Sequence, residues 1–165
     1  MKTLYLVRHA KSSWSDPDIC DHDRPLNRRG NKDAPYMGKL LFEKGIKPEK
    51  LISSSAVRAL ETAKQIAKEI RFDRNSIIAD ERLYHPSTMD FFRVINEIDK
   101  SIGEVMFFSH NPGITDFVNF ISTFDIINIP TCGIVCIQFD TNDWKELSNH
   151  KGRVTFYEFP KKYFG

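Results

Sequence analysis

The chain alternates short apolar runs with amphipathic stretches. Leu4-Tyr5-Leu6-Val7 is a continuous apolar run that predicts a buried strand, ending at Arg8-His9. A polar loop follows, from Lys11 to about Arg24. Pro25-Leu26-Asn27 then reads as a helix entrance with Asn27 as its cap. Met37, Leu40 and Leu41 give that helix an apolar face; Pro35 is expected to kink or reset it, and Gly45 to stop it. Lys50-Leu51-Ile52 predicts a second strand. Ser53-Ser54-Ser55 follows, with Ser54 or Ser55 able to cap a helix whose stripe is Ala56, Ala59, Leu60, Ala63, Ile66, Ala67 and Ile70. Ile77-Ile78-Ala79 reads as a short third strand, followed by a loop from Asp80 to Ser87 and a helix facing inward through Phe92, Ile95 and Ile98. Glu104 to Phe108 is a buried-type strand ending at Ser109-His110, and Asn111-Pro112-Gly113 opens a helix carrying Ile114, Phe117, Val118 and Ile121. Ile134 to Phe139 and Arg153 to Phe159 predict the last strands. The alternation implies an α/β fold. No repeat, low-complexity tract or linker interrupts it, so residues 1–165 are expected to form one domain.

Composition narrows the function. With 41% hydrophobic residues, 13 of them Phe, the chain can bury a full core without disulfides or metals. Lys and Arg total 24 against 22 Asp and Glu, a net charge of +2. That balance argues against a nucleic-acid partner, so attraction for anions must be local. The opening apolar run is too short for a signal peptide, and nothing approaches the roughly 20 apolar residues that span a bilayer. A soluble, cytoplasmic, monomeric protein without membrane contact is expected. Three cysteines, Cys20, Cys132 and Cys136, suit a reducing compartment. Cys132 and Cys136, four apart, would share one strand face, and core packing is favoured over zinc or redox chemistry.

Candidate chemistry collects where strands end. Arg8-His9 follows the first strand, Ser53-Ser54-Ser55 and Arg58 the second, and Ser109-His110-Asn111 the Phe-rich one. Ligands of open parallel sheets bind at the carboxyl ends of the strands. If these three strands are parallel and close, Arg8, His9, Arg58 and His110 converge. Arg58 falls in the first turn of its helix, where free N–H groups favour an anion and a cationic side chain opposes the dipole, so an anionic partner is expected. Two guanidiniums match phosphate oxygens, and two imidazoles supply one nucleophile and one further donor. There is no Walker-type loop and no convincing metal spacing, so the chemistry is expected to run without metal or cofactor. A neutral imidazole nitrogen can attack phosphorus, and neighbouring arginines keep it neutral while stabilising the transferring group.

These residues lie in motifs. Leu6-Val7-Arg8-His9-Ala10-Lys11, Ser54-Ser55-Ala56-Val57-Arg58-Ala59-Leu60-Glu61-Thr62-Ala63 and Ser109-His110-Asn111-Pro112 resemble, in order, the three motifs of the histidine phosphatase (phosphoglycerate-mutase-like) superfamily. The short length, Ala10 after the histidine, and Asp23-Arg24-Pro25-Leu26-Asn27-Arg28-Arg29-Gly30 resemble its SixA branch, the phosphohistidine phosphatases. The resemblance implies a three-layer sandwich with a mostly parallel central sheet and helices on both faces. It implies His9 as nucleophile, Arg8 and Arg58 as phosphate ligands and His110 as stabiliser of the transferring group. Arg24 matches an arginine near the phosphate, and Asn111, beside His110, joins the phosphate-binding candidates. Larger members use a carboxylate on the loop after the third strand; Glu81 falls about there, while the SixA branch lacks an effective donor.

The expected activity is a metal-independent phosphatase acting on phosphohistidine in a protein. A small-molecule phosphomonoesterase of the same superfamily and a non-catalytic phosphate-binding module are the alternatives. Arg24 could instead brace the loop through Asp21 or Asp23. Glu81 could be a loop carboxylate rather than a general acid, and Asp16, Asp18 and Asp21 are further acid candidates. His22, His85 and His150 read as surface or rim groups, of which His85 alone can approach the pocket. Trp14 either lines the mouth or packs.

Overall fold

The computed structural model describes residues 1–149 and 151–164. Six strands form one sheet: β1 (Lys2–Arg8), β2 (Lys50–Ser54), β3 (Ile78–Asp80), β4 (Glu104–Ser109), β5 (Ile134–Phe139) and β6 (Arg153–Glu158). Their spatial order is β3-β2-β4-β1-β5-β6. The strands β3, β2, β4 and β1 run parallel, and β5 is antiparallel to both β1 and β6. The apolar runs of β1 and β4 put them inside the sheet, paired from Thr3 with Glu104 to Arg8 with Ser109.

Side chains alternate between two cores. Leu4, Leu6, Ile52, Val105, Phe107, Val135 and Ile137 face α3 (Thr88–Asn96) and α4 (Gly113–Ile121). There Phe91 stacks on Phe117, ring centroids 4.5 Å apart. Tyr5, Val7, Leu51, Met106, Phe108, Ile134 and Cys136 face α1 (Arg28–Glu43) and α2 (Val57–Glu69), which contribute Ala34, Met37, Leu41, Ala63, Ile66 and Ala67. The result is the expected three-layer α/β sandwich. Phe107 and Phe108, adjacent in β4, go to opposite cores as the two-residue period of a strand requires.

Local signals held with four corrections. Asn27 caps α1, its side chain accepting the Gly30 N–H at 2.9 Å. Gly45, at φ +74°, follows the end of that helix as expected. Pro35 does not reset the helix, which runs on to Glu43 because Met37 and Leu41 are buried against the sheet beyond it. Neither Ser54 nor Ser55 is the cap of α2; Ala56 holds that position without a side-chain cap, and the serine hydroxyls are used elsewhere. The stretch from Asp80 to Ser87 contains a 3-10 turn, Glu81–Leu83. Cys132 precedes β5 in a left-handed conformation, φ +59°, rather than sharing a strand face with Cys136, yet both pack into the same core. All three cysteines are free. Among the described residues no helix is long and apolar enough to cross a membrane.

Candidate active site

The carboxyl ends of β1, β4 and β2 are neighbours, so the strand-end residues converge as the parallel arrangement requires. His9 leaves β1 with its N–H on the Ser109 carbonyl (3.1 Å), and Cys132 donates to the carbonyls of Arg8 and His9 (3.0 Å each). The next residue, Ala10, donates to Thr62 Oγ1 (2.9 Å), which itself donates to the Arg58 carbonyl (2.8 Å). The β1 exit and the first turn of α2 are thereby locked together.

His9 is 7% exposed. Its Nδ1 lies 2.7 Å from the Ala10 carbonyl oxygen, which can only accept. The ring proton therefore belongs on Nδ1, and Nε2 carries a free lone pair. Burial, helped by Arg58, Arg8 and Arg24, outweighs the Ala10 carbonyl and pulls the pKa of His9 down to about 3. The imidazole is neutral at physiological pH.

His110 stands beside it, ring centroids 5.1 Å apart. Its Nε2 is 2.7 Å from Ser54 Oγ, which also accepts the Ala56 N–H at 3.2 Å. A Ser54 hydroxyl donating to Nε2 leaves the ring proton on Nδ1. Burial, with His9, Arg58 and His85, holds His110 well below the usual imidazole range. Arg8 donates through Nη1 to the Ile129 carbonyl (2.8 Å), and burial lowers its pKa. Among the described residues, the buried side-chain nitrogens and oxygens without a partner are Arg8 Nε, Arg58 Nε and His110 Nδ1. Buried polar groups are nearly always paired. Three such nitrogens, on three strand-end elements, can together form a seat for an oxyanion.

Asp21 occupies the approach to that seat. Arg58 Nη1 donates to its carbonyl (2.7 Å) and Nη2 to its Oδ2 (3.1 Å). Arg24 Nε donates to Oδ1 (3.1 Å), and Tyr84 OH donates to Oδ2 (2.6 Å). The Tyr84 hydroxyl and then Arg58 and Arg24 hold the Asp21 carboxyl far below the usual carboxylate range. Arg24 also donates through Nη1 to Ser12 Oγ (2.6 Å) and the Ser13 carbonyl (3.1 Å), and its guanidinium lies 3.5 Å from the ring centroid of Trp14. Of the two partners weighed for Arg24, Asp21 is the one it meets; Trp14 covers Arg24 and remains exposed.

The other candidates separate. Asn111 donates to Asn128 Oδ1 and the Ile129 carbonyl and accepts from Thr115, so its amide braces the segment whose carbonyl holds Arg8. Glu81 is exposed and shares no hydrogen bond with the cluster. Asp16 and Asp18 are exposed on the loop tip, where Asp16 accepts the Asp18 N–H. His85 Nε2 lies 3.7 Å from Asp21 Oδ2, and His22 contacts Ser55 and Asp23. His150 lies outside the described residues. Tyr84 escaped the sequence reading; only its place between Asp80 and His85, on the loop scanned for an acid, pointed to it. No group of three or more His, Cys, Asp or Glu side chains that could hold a metal occurs among the described residues.

The profile of the Histidine phosphatase superfamily (branch 1) matches residues 4–89. A chloroplastic Arabidopsis thaliana protein of uncharacterised function is 31% identical over 153 residues, spanning 88% of this chain and 70% of its own length. The mitochondrial serine/threonine-protein phosphatase Pgam5 of Drosophila ananassae is 40% identical over 75 residues, which is 46% of this chain but only 25% of Pgam5. Among solved structures, one described as a phosphohistidine phosphatase SixA from Agrobacterium tumefaciens superposes with a TM-score of 0.82 at 23% identity, covering 96% and 98% of the two chains. The protein histidine phosphatase SixA bound to tungstate superposes with a TM-score of 0.79 at 17% identity, covering 97% and 98%. The chain belongs to branch 1 of the histidine phosphatase superfamily.

Proposed function

We propose that this chain is a phosphatase that works through a covalent phosphohistidine on His9 and removes phosphate from phosphohistidine in proteins. The observation that carries the reading is the orientation of His9: its proton is held on Nδ1 by Ala10, leaving Nε2 as a neutral nucleophile beside three unpaired donors. Nε2 forms a bond to phosphorus while the bond to the leaving group breaks with its electron pair. Arg8, Arg58 and His110 Nδ1 stabilise the charge on the phosphoryl oxygens. Water then forms a P–O bond, the P–Nε2 bond breaks, the pair returns to Nε2, and a water proton leaves with phosphate or solvent.

The phosphohistidine preference rests on the leaving group. An imidazole that carries a proton on its other nitrogen departs neutral and needs no acid. An alkoxide does need one, and the cluster holds its one close carboxyl, Asp21, ionised. The overall fold likeness to SixA structures agrees. The free cysteines fit a cytoplasmic site of action.

The test is hydrolysis of a phosphohistidine-bearing carrier protein beside p-nitrophenyl phosphate, in EDTA, with His9→Ala as control. Rapid His9-dependent loss of phosphohistidine with little ester turnover is expected. Dominant ester turnover would move the assignment to a phosphomonoesterase. Binding of oxyanions without turnover of either would make the chain a phosphate-binding module.

A further inference from the structure

The acidic side chain bonded to the arginines belongs to the protein itself. Asp21 holds Arg24 through Nε and Arg58 through Nη2, and takes the hydroxyl of Tyr84. All three donors are suited to phosphoryl oxygens, and Arg24 and Arg58 are 7% and 3% exposed. Asp21 opens a 3-10 turn, Asp21–Asp23, at the end of an exposed loop. From Trp14 to Cys20 every residue is exposed and no regular helix or strand intervenes.

We propose that Asp21 is a specificity-determining residue, an internal competitor whose carboxylate fills part of the phosphoryl seat and is displaced only by a doubly charged phosphoryl group. A monoanion, such as a phosphodiester or a carboxylate, offers Arg24 and Arg58 no more charge than Asp21 already does, and it also pays the cost of ordering itself in the site. A dianionic phosphomonoester or phosphoramidate offers more, and it meets in addition the free nitrogens of Arg8, Arg58 and His110. When Asp21 withdraws, Tyr84 OH is released to donate to the ligand. When phosphate is formed, the return of the carboxylate helps to expel it. This rests on the phosphoryl-transfer reading of the site, but its test reads binding rather than turnover.

The experiment compares the wild-type protein with Asp21→Asn, which keeps the shape and removes the charge. Asp23→Asn is the control, since Asp23 contacts His22 and Cys20 rather than the arginines. Phosphate, tungstate and the monoanion bis(p-nitrophenyl) phosphate are titrated by calorimetry and by tryptophan fluorescence, for which Trp14 on Arg24 is the reporter. Asp21→Asn is expected to bind phosphate and tungstate about tenfold tighter or more, the scale of one lost charge-assisted competitor. It is also expected to acquire measurable affinity for the diester, with Asp23→Asn unchanged. Equal or weaker oxyanion binding by a folded Asp21→Asn, checked by circular dichroism, would overturn the proposal and leave Asp21 as a brace for the arginines. Should Asp21→Asn misfold, Asp21→Ser is measured in its place, with the same two outcomes. Failure of the covalent reading would show separately, as turnover surviving in His9→Ala.

Discussion

Nδ1 of His9 lies 2.7 Å from the carbonyl oxygen of the residue that follows it, Ala10. That bond sets the tautomer and aims the lone pair of Nε2. His9→Ala is expected to lower phosphohistidine turnover by about 10³-fold or more and to abolish labelling of the chain by a radioactive phosphoryl donor after an alkaline quench, which preserves P–N bonds, with the thermal transition preserved. Labelling that survives in the variant would remove His9 as the nucleophile.

Arg58 stands in the first turn of α2, and its Nε is buried and unpartnered. Arg58→Ala is expected to weaken vanadate binding by roughly 10- to 100-fold, the range of one charged hydrogen-bonding group. Isothermal titration at pH 7.5 measures it; an unchanged affinity would place Arg58 outside the seat.

Burial keeps both His9 and His110 neutral. The unfolded chain protonates them near pH 6.5, whereas the folded one protonates His9 only near 3. Their contribution to stability is therefore complete above about pH 6.5 and eroded as pH falls below it, by about 1.4 kcal/mol per pH unit for one such histidine. Urea midpoints between pH 5 and 7.5 should fall with pH in the wild type and fall less steeply in His9→Gln. Parallel slopes would show that His9 is not kept neutral by folding.

A Cβ on Gly30 would stand 2.1 Å from the Lys11 carbonyl oxygen. Backbone must shift to admit it, and Lys11 adjoins the Ala10 carbonyl that orients His9. Gly30→Ala is expected to cost about 2 kcal/mol in urea denaturation and to lower kcat more than it raises KM. A variant as stable and active as wild type would contradict this packing.

Glu81 is exposed and unattached to the cluster. As a proton donor it would act only from solvent, without fixed geometry. Glu81→Gln is expected to slow p-nitrophenyl phosphate hydrolysis by less than about tenfold and to leave phosphohistidine turnover within about twofold. Equal slowing of both substrates would argue against a role as acid for the leaving group.

The strands and helices were legible because each buries a face with its own period. Of the stripe read for α2, Ala63, Ile66, Ala67 and Ile70 lie on the core while Leu60 is only half-buried, and β5 has the bounds its apolar run predicts. The meeting of Arg8, His9, Arg58 and His110 was legible too, since it follows from strand ends in a parallel sheet. What the chain order conceals is how loop side chains pair. Asp21 is one of several acids in its loop, and only the folded arrangement distinguishes the one that reaches Arg58 and Tyr84. Ser54 reads as a helix cap from its position, but the helix begins later and the hydroxyl turns to His110. Asn111 reads as a ligand by adjacency, yet its amide is consumed by the Asn128–Ile129 segment.

The pairing of β1 with β4 joins Arg8 to Ser109 across most of the sequence. His9 and His110, each one residue beyond, become neighbours only when that ladder is complete to its last rung. On a ribosome, His9 stays without His110 until the whole segment between β1 and β4 has followed. The proposed catalytic centre is thus assembled by long-range closure, a slow class of folding event. Tungstate binding, followed during refolding, would time the moment at which the two ends of this ladder meet.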